Sequence, residues 1–178
     1  MNIIVINKPC LFSKSNIPDK LNYSEIHILS KNVTILNNAF DNCDNLKYVE
    51  FADDTELGLY SFNECTNLKI NKLPLCSIIP AFCFFGCRNL EKIEIPPTVS
   101  KIDYAAFKNT DLNCVIFNEG LEVIEDFAFM NTKITSCVFP KSIKKISQNA
   151  FINSELYAIY CYKISVSINI LSNPQNND

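Results

Sequence analysis

The residues best able to do chemistry in this 178-residue chain are nine cysteines and one histidine. Thiolates and imidazoles hold zinc when closely spaced ligand pairs complete a tetrahedron, and a thiol beside an imidazole makes a nucleophile. Neither arrangement is written here. No Cys-x-x-Cys pair occurs, and Cys83 with Cys87 has no second pair to close a metal site. His27 is the one imidazole, so no catalytic base can be chosen beyond it, and no glycine-rich phosphate loop is present. The expectation is a chain that is not an enzyme: no catalytic residues, no metal, no cofactor.

The cysteines make sense once the elements that position them are aligned. Phe40, Phe62, Phe84, Phe107, Phe129 and Phe151 recur at intervals of 22, 22, 23, 22 and 22 residues. A fixed period of about 20 to 29 residues marks a solenoid of stacked coils. An apolar column precedes each phenylalanine (Ile35, Leu57, Ile79, Ile102, Ile124, Ile146), and a small residue adjoins it (Ala39, Ser61, Cys83, Ala106, Ala128, Ala150). After it, segments such as Leu46 to Phe51 alternate apolar and polar, the pattern of a half-buried strand. Cys43, Cys65 and Cys87 share one column, Cys83 fills a small-residue position, and Cys137 and Cys161 take inward strand positions. Six cysteines are thereby assigned to the core, leaving Cys10, Cys76 and Cys114 as the exposed thiols. Asn42, Asn45, Asn67, Asn89, Asn109 and Asn131 read as turn formers, because asparagine tolerates left-handed backbone.

The stretches Ala39-Phe40-Asp41-Asn42-Cys43-Asp44-Asn45-Leu46-Lys47-Tyr48-Val49 and Cys83-Phe84-Phe85-Gly86-Cys87-Arg88-Asn89-Leu90-Glu91-Lys92-Ile93-Glu94-Ile95-Pro96 resemble the BspA-like class of leucine-rich repeats, a likeness that runs over residues 23–161. The resemblance implies a curved solenoid and a protein-interaction role, as in bacterial surface adhesins and large protist families, without enzymatic activity. The fold class expected is an α/β-type repeat solenoid, predominantly β. It would be a short curved array with one parallel sheet and short turns or helical segments on the opposite side. Strands about 4.8 Å apart give seven rungs across roughly 30 Å. Residues 1–22 read as the N-terminal cap, 23–161 as the array, and 162–178 as a capping strand, with alternating Tyr162, Ile164, Val166, Ile168 and Ile170, and a polar tail.

The array is not uniform. Phe to Leu spans six residues in the first three units, with Cys43, Cys65 and Cys87 between them. It spans five in the last three, where the column becomes Thr110, Thr132 and Ser154. The outward strand positions change at the same place. One column reads His27, Glu50, Lys72, Glu94, then Ile116, Val138, Tyr160; its neighbour reads Glu25, Tyr48, Ile70, Lys92, then Cys114, Ser136, Ala158. Asn71 falls where an inward apolar residue belongs, so Ile70 would take that place through a bulge or slip.

A contiguous apolar patch is uncommon on a soluble monomer unless it binds something. The expected site is therefore a protein-partner surface centred on Ile116, Val138 and Tyr160, with Tyr48, Glu50, Lys72 and Glu94 as its polar flank. Against it stand two plainer readings: β-branched residues suit both faces of a sheet, or the C-terminal segment covers them. The net charge of −3, with both signs interspersed, gives no footprint for nucleic acid. The longest apolar runs, such as Ile3 to Ile6, fall far short of the roughly 18 to 20 residues of a membrane span. The function expected is a non-catalytic interaction module or a structural subunit of a larger assembly. An odd cysteine count without a signal segment favours an intracellular, cytoplasmic address, with a secreted or surface adhesin of the same fold as the alternative.

Overall fold

The computed structural model describes residues 2–17 and 23–161; the capping strand and tail expected at 162–178 lie outside them. Most coils contribute one strand to a front series and a second, generally shorter, strand to another series. The front series is β1 (Asn2–Ile6), β3 (Tyr23–Ile28), β5 (Tyr48–Glu50), β8 (Lys92–Ile95), β10 (Cys114–Phe117), β12 (Ser136–Phe139) and β14 (Ala158–Cys161). The second is β2 (Cys10–Phe12), β4 (Val33–Ile35), β6 (Glu56–Leu57), β7 (Ile78–Ile79), β9 (Lys101–Ile102), β11 (Val123–Ile124) and β13 (Lys145–Ile146). All pairings are parallel. The molecule is a predominantly β solenoid, and its described helical content is one 3-10 turn at Lys14–Asn16.

Two features depart from the expectation of one sheet. The apolar column before each phenylalanine is itself laddered, so Ile102 pairs with Ile79 and Ile124, and a second parallel sheet replaces simple turns. The front sheet is also divided into β1-β3-β5, β8-β10 and β12-β14, and the second into β2-β4-β6 and β7-β9-β11-β13. The first coil, β1 with β2, adds a rung ahead of those counted from the repeat.

The core is the phenylalanine ladder. Phe40, Phe62, Phe84, Phe107, Phe129 and Phe151 stack with centroids 5.0–5.6 Å apart, and Phe12 extends the stack by one ring at 5.2 Å. Aromatic pairs in this range add about 0.5–1.5 kcal/mol beyond their area burial. The small residues beside the ladder, Ala39, Ser61, Cys83, Ala106, Ala128 and Ala150, are all buried, which is what lets successive coils close to ring-stacking distance.

Left-handed residues two before and two after the phenylalanines turn the chain. Asn42, Asn109, Asn131 and Asn153 fill these positions as asparagine should, with φ near +60°. Tyr60, Glu64, Phe82, Ala105 and Phe127 fill others at similar φ, where a bulky side chain is strained. Stacking holds two of them in place: the rings of Tyr60 and Phe82 lie 4.5 Å apart and nearly parallel. Asn67 and Asn89 do something else. Their side-chain amides donate to the carbonyls of Asp44 and Asn67 at 2.8 and 3.1 Å, tying coil to coil.

The two sets of units differ in what the residue three after the phenylalanine bonds. In the first set the thiols of Cys65 and Cys87 donate to the carbonyls of Phe40 and Phe62 in the preceding coil, at 3.1 and 3.2 Å. In the second set the hydroxyls of Thr110, Thr132 and Ser154 donate to the phenylalanine of their own coil, at 2.8, 2.9 and 2.6 Å. A one-residue-shorter turn brings that carbonyl within reach of a short hydroxyl.

Asn71 produces the slip that its polarity predicts. Ile70 is buried in place of the expected apolar residue, and Lys69 takes the bridge to Tyr48. Register returns at buried Leu73, but no front-series strand forms between β5 and β8. Asn71→Val should restore alternation and join β5 to β8. Hydrogen exchange at residues 70–72 is then expected to slow by about tenfold or more; unchanged exchange would show that something other than side-chain polarity sets the slip.

Candidate functional site

The outward side chains of the front strands form one face. From β1 onward it carries Ile3 and Val5, then Glu25 and His27, Tyr48 and Glu50, Lys92 and Glu94, Cys114 and Ile116, Ser136 and Val138, and Ala158 and Tyr160. Strand alternation puts them there, since Val115, Phe117, Cys137 and Phe139 point into the core between them. Ile116, Val138 and Tyr160 are 51, 53 and 62% exposed. Ile116 faces Glu94 across β8 and β10, and Val138 faces Tyr160 across β12 and β14.

The expected flank is only partly assembled. Tyr48, Glu50 and Glu94 lie on the face. Lys72 does not: the slip at Asn71 carries it off the strand, and its ammonium donates to the Asp53 carboxylate at 2.7 Å. Ile70, placed in the outward column by the repeat, turns inward for the same reason, and Lys69 stands beside Tyr48 instead. The repeat alignment also missed the apolar pair at the other end of the face. Ile3 and Val5 are 46 and 53% exposed and sit opposite Glu25 and His27. The continuous apolar run Ile3 to Ile6 marked a strand there but not which of its side chains face outward.

A charged cluster occupies the middle. His27 Nδ1 lies 2.7 Å from the Glu50 carboxylate, and Nε2 lies 3.4 Å from that of Glu25. The hydrogen bond to Glu50 leads in holding the imidazole pKa above its usual value, against the opposing effect of burial. His27 thus works as a cross-strand linker. Among the described residues no group of three His, Cys, Asp or Glu side chains could hold a metal ion.

Between β10 and β12 a groove of about 480 Å³ opens on the face, its floor and walls including Cys114, Ile116, Ser136, Val138 and Glu119. The Glu119 carboxylate accepts the backbone N–H groups of Lys141 and Ser142 at 2.9 and 3.1 Å, and the Lys141 bond leads in holding its pKa below the usual range. Cys114 is the exposed thiol at the groove, while Cys10 and Cys161 are half-buried. Cys76 is buried, contrary to the expectation, and burial pushes its thiol pKa up to about 12. It stands three residues before Ile79, as buried Val99, Leu121 and Ile143 stand before Ile102, Ile124 and Ile146, an inward column that the repeat alignment overlooked. Burial likewise pushes Cys137 up to about 12.

The family model for the BspA-type leucine-rich repeat region, present in 6 copies, matches residues 14–76 and 77–173. The chain belongs to the BspA-type leucine-rich repeat family. Two solved structures share the fold of this BspA-type array. A leucine-rich cell surface protein from Faecalibacterium prausnitzii superposes with a TM-score of 0.70 at 22% identity, over 92% of this chain and 48% of its own. A leucine-rich repeat protein from Bacteroides ovatus superposes with a TM-score of 0.52 at 21% identity, over 81% of this chain and 50% of its own. The chain thus spans about half the length of both. No curated protein matches it significantly. The leucine-rich repeat fold is typically a scaffold without chemistry of its own. No helix among the described residues is long and apolar enough to cross a membrane.

Proposed function

We propose that this array is a non-catalytic protein-binding module of a cell-surface or secreted protein, taking its partner on the front sheet face around Ile116, Val138 and Tyr160. The observation that carries the binding reading is the exposure of three large apolar side chains on neighbouring strands, each more than half open to solvent, around a groove. A soluble domain seldom leaves such a patch uncovered without a use for it. Glu50, Tyr48 and Glu94 flank it on the face; Lys72, off the strand, reaches at most its margin. In this reading residues 1–22 cap the array that runs over 23–161.

The surface address is supported by the description of the Faecalibacterium structure as a cell surface protein. The intracellular, cytoplasmic address expected from the cysteine count finds no support in that comparison. Reduced cysteines are compatible with either address, because packing accounts for most of them: Cys43, Cys65, Cys76, Cys83, Cys87 and Cys137 are all buried.

Val138→Glu tests the site. A carboxylate at the centre of an apolar patch opposes burial against any apolar partner, while an outward position on β12 tolerates it structurally. The variant should keep its thermal transition within about 1 kcal/mol of the parent and lose capture of the partner taken from native cell-surface extract. Capture equal to the parent's would overturn the site. For the address, the expected result is labelling of the protein by a membrane-impermeant reagent on intact native cells, and labelling only after lysis would overturn it.

A further inference from the structure

We propose that two copies of this chain associate edge to edge through β1, in antiparallel register, as a twofold dimer whose front faces lie side by side. The basis is the free edge of β1. Among the described residues β1 pairs with β3 alone, and no described residue bonds its other side. In a parallel pair, alternate residues turn both N–H and C=O toward the neighbouring strand. The Leu29 N–H donates to the Ile6 carbonyl at 2.9 Å, so Ile6 and Ile4 face β3. The main-chain groups of Ile3 and Val5 therefore point out of the sheet edge. The register shift between Asn2 and Ile3 precedes this stretch and leaves its alternation intact.

That edge is complementary to itself. Two β1 strands running antiparallel about an axis at Ile4 set Ile3 of each copy opposite Val5 of the other. Each such pair exchanges N–H···O=C bonds in both directions, using groups that otherwise meet only water. The same register brings the Ile3 and Val5 side chains, 46 and 53% exposed, against each other on the front face. A second copy of the strand satisfies both halves of the contact at once, the isologous arrangement of a twofold dimer. Nothing in the strand opposes it. Edge strands are commonly guarded by lysine, proline or an inward charge; Asn2–Ile6 carries none, and Lys8 and Pro9 come only after it. The flanking charges agree as well. Glu25 stands beside Ile3 and His27 beside Val5, so each Glu25 lies in line with the partner copy's imidazole and not with a second carboxylate. Cross-strand pairs point to one side of a sheet, so both front faces look the same way. One dimer then presents the Ile116, Val138 and Tyr160 surface twice, and a partner with two matching sites is held by both.

Sedimentation equilibrium of the whole chain tests the dimer. A contact made by one strand edge sits at the small end of protein interfaces, so the mass should rise to that of two chains with a Kd of about 10–100 μM. Val5→Pro removes an N–H that serves the free edge alone, a place where proline is tolerated. It takes one hydrogen bond from each half of the contact and should weaken association about tenfold or more, with the thermal midpoint unchanged. If the midpoint moves, Val5→Lys decides: it places a charge on an exposed outward position, keeps the N–H, and should weaken association likewise. A single-chain mass at about 0.5 mM, or association undiminished in both variants, would overturn the proposal. Masses that climb past two chains would overturn it too, in favour of head-to-tail stacking of β1 on β14.

Discussion

Phe107→Ala should remove about 3–5 kcal/mol of stability, the largest loss expected from any single truncation in the array. Phe107 is fully buried and stacks on Phe84 and Phe129 with both centroid distances at 5.4 Å, so the truncation empties a site walled by rings on two sides. Rings held by strands in fixed register cannot collapse into the space, and the cavity cost is added to the lost transfer free energy. Domains of this size have about 5–15 kcal/mol in total, so the change takes a large share of it. In a solenoid each coil is stabilised by its neighbours, and a defect in the middle uncouples the two sides. Urea denaturation should therefore show a lower midpoint and a shallower transition, as the six-residue and five-residue halves lose cooperativity. Phe107→Leu, which keeps most of the volume, should cost about 1–2 kcal/mol and leave the slope unchanged. Equal losses for the two variants would mean that the stacked ring itself, and not the apolar volume it fills, carries the stabilisation.

Gly120→Ala should lower the thermal midpoint by roughly 5–10 °C. Gly120 has φ +115°, outside the regions open to a residue with a Cβ, and an added Cβ would overlap the backbone carbonyl oxygen of Pro97 in the preceding coil. A backbone atom cannot move aside as a side chain can, so the strain of about 1–3 kcal/mol and the clash act together. Gly86 provides the contrast. Its φ of +71° is left-handed, and asparagines occupy the equivalent position in other coils at Asn42, Asn109 and Asn131. A Cβ there would crowd the carboxylate end of Glu64, which can turn away. Gly86→Asn should therefore lower the midpoint by much less than Gly120→Ala. If the two fall alike, left-handed backbone alone is responsible and the close approach to Pro97 is not.

Much of the fold was legible because a solenoid repeats one small problem. A 22-residue period fixes which residues face inward, and the buried columns at Phe40, Ile35, Ala39 and their successors match the alignment. The second sheet was not legible, since a single apolar residue per coil cannot show whether its neighbours ladder. Cys76 was misjudged because its coil breaks the alternation at Asn71, although its spacing of three residues before Ile79 would have placed it. Lys72 was misjudged for the same cause: the slip at Asn71 carries it off the strand before register returns at Leu73.

The sequence by itself determined the family, the ladder and the apolar character of Ile116, Val138 and Tyr160, because these depend on residue type recurring at a fixed interval. Only the tertiary structure decided where the front sheet stops pairing, and with it the groove between β10 and β12. It also decided that Ile116, Val138 and Glu119 line that one groove. The physical reason is that main-chain pairing depends on the separation of neighbouring coils to within a fraction of an ångström. That separation results from all the turns, stacks and hydrogen bonds around a coil acting together, which no column of residue types records.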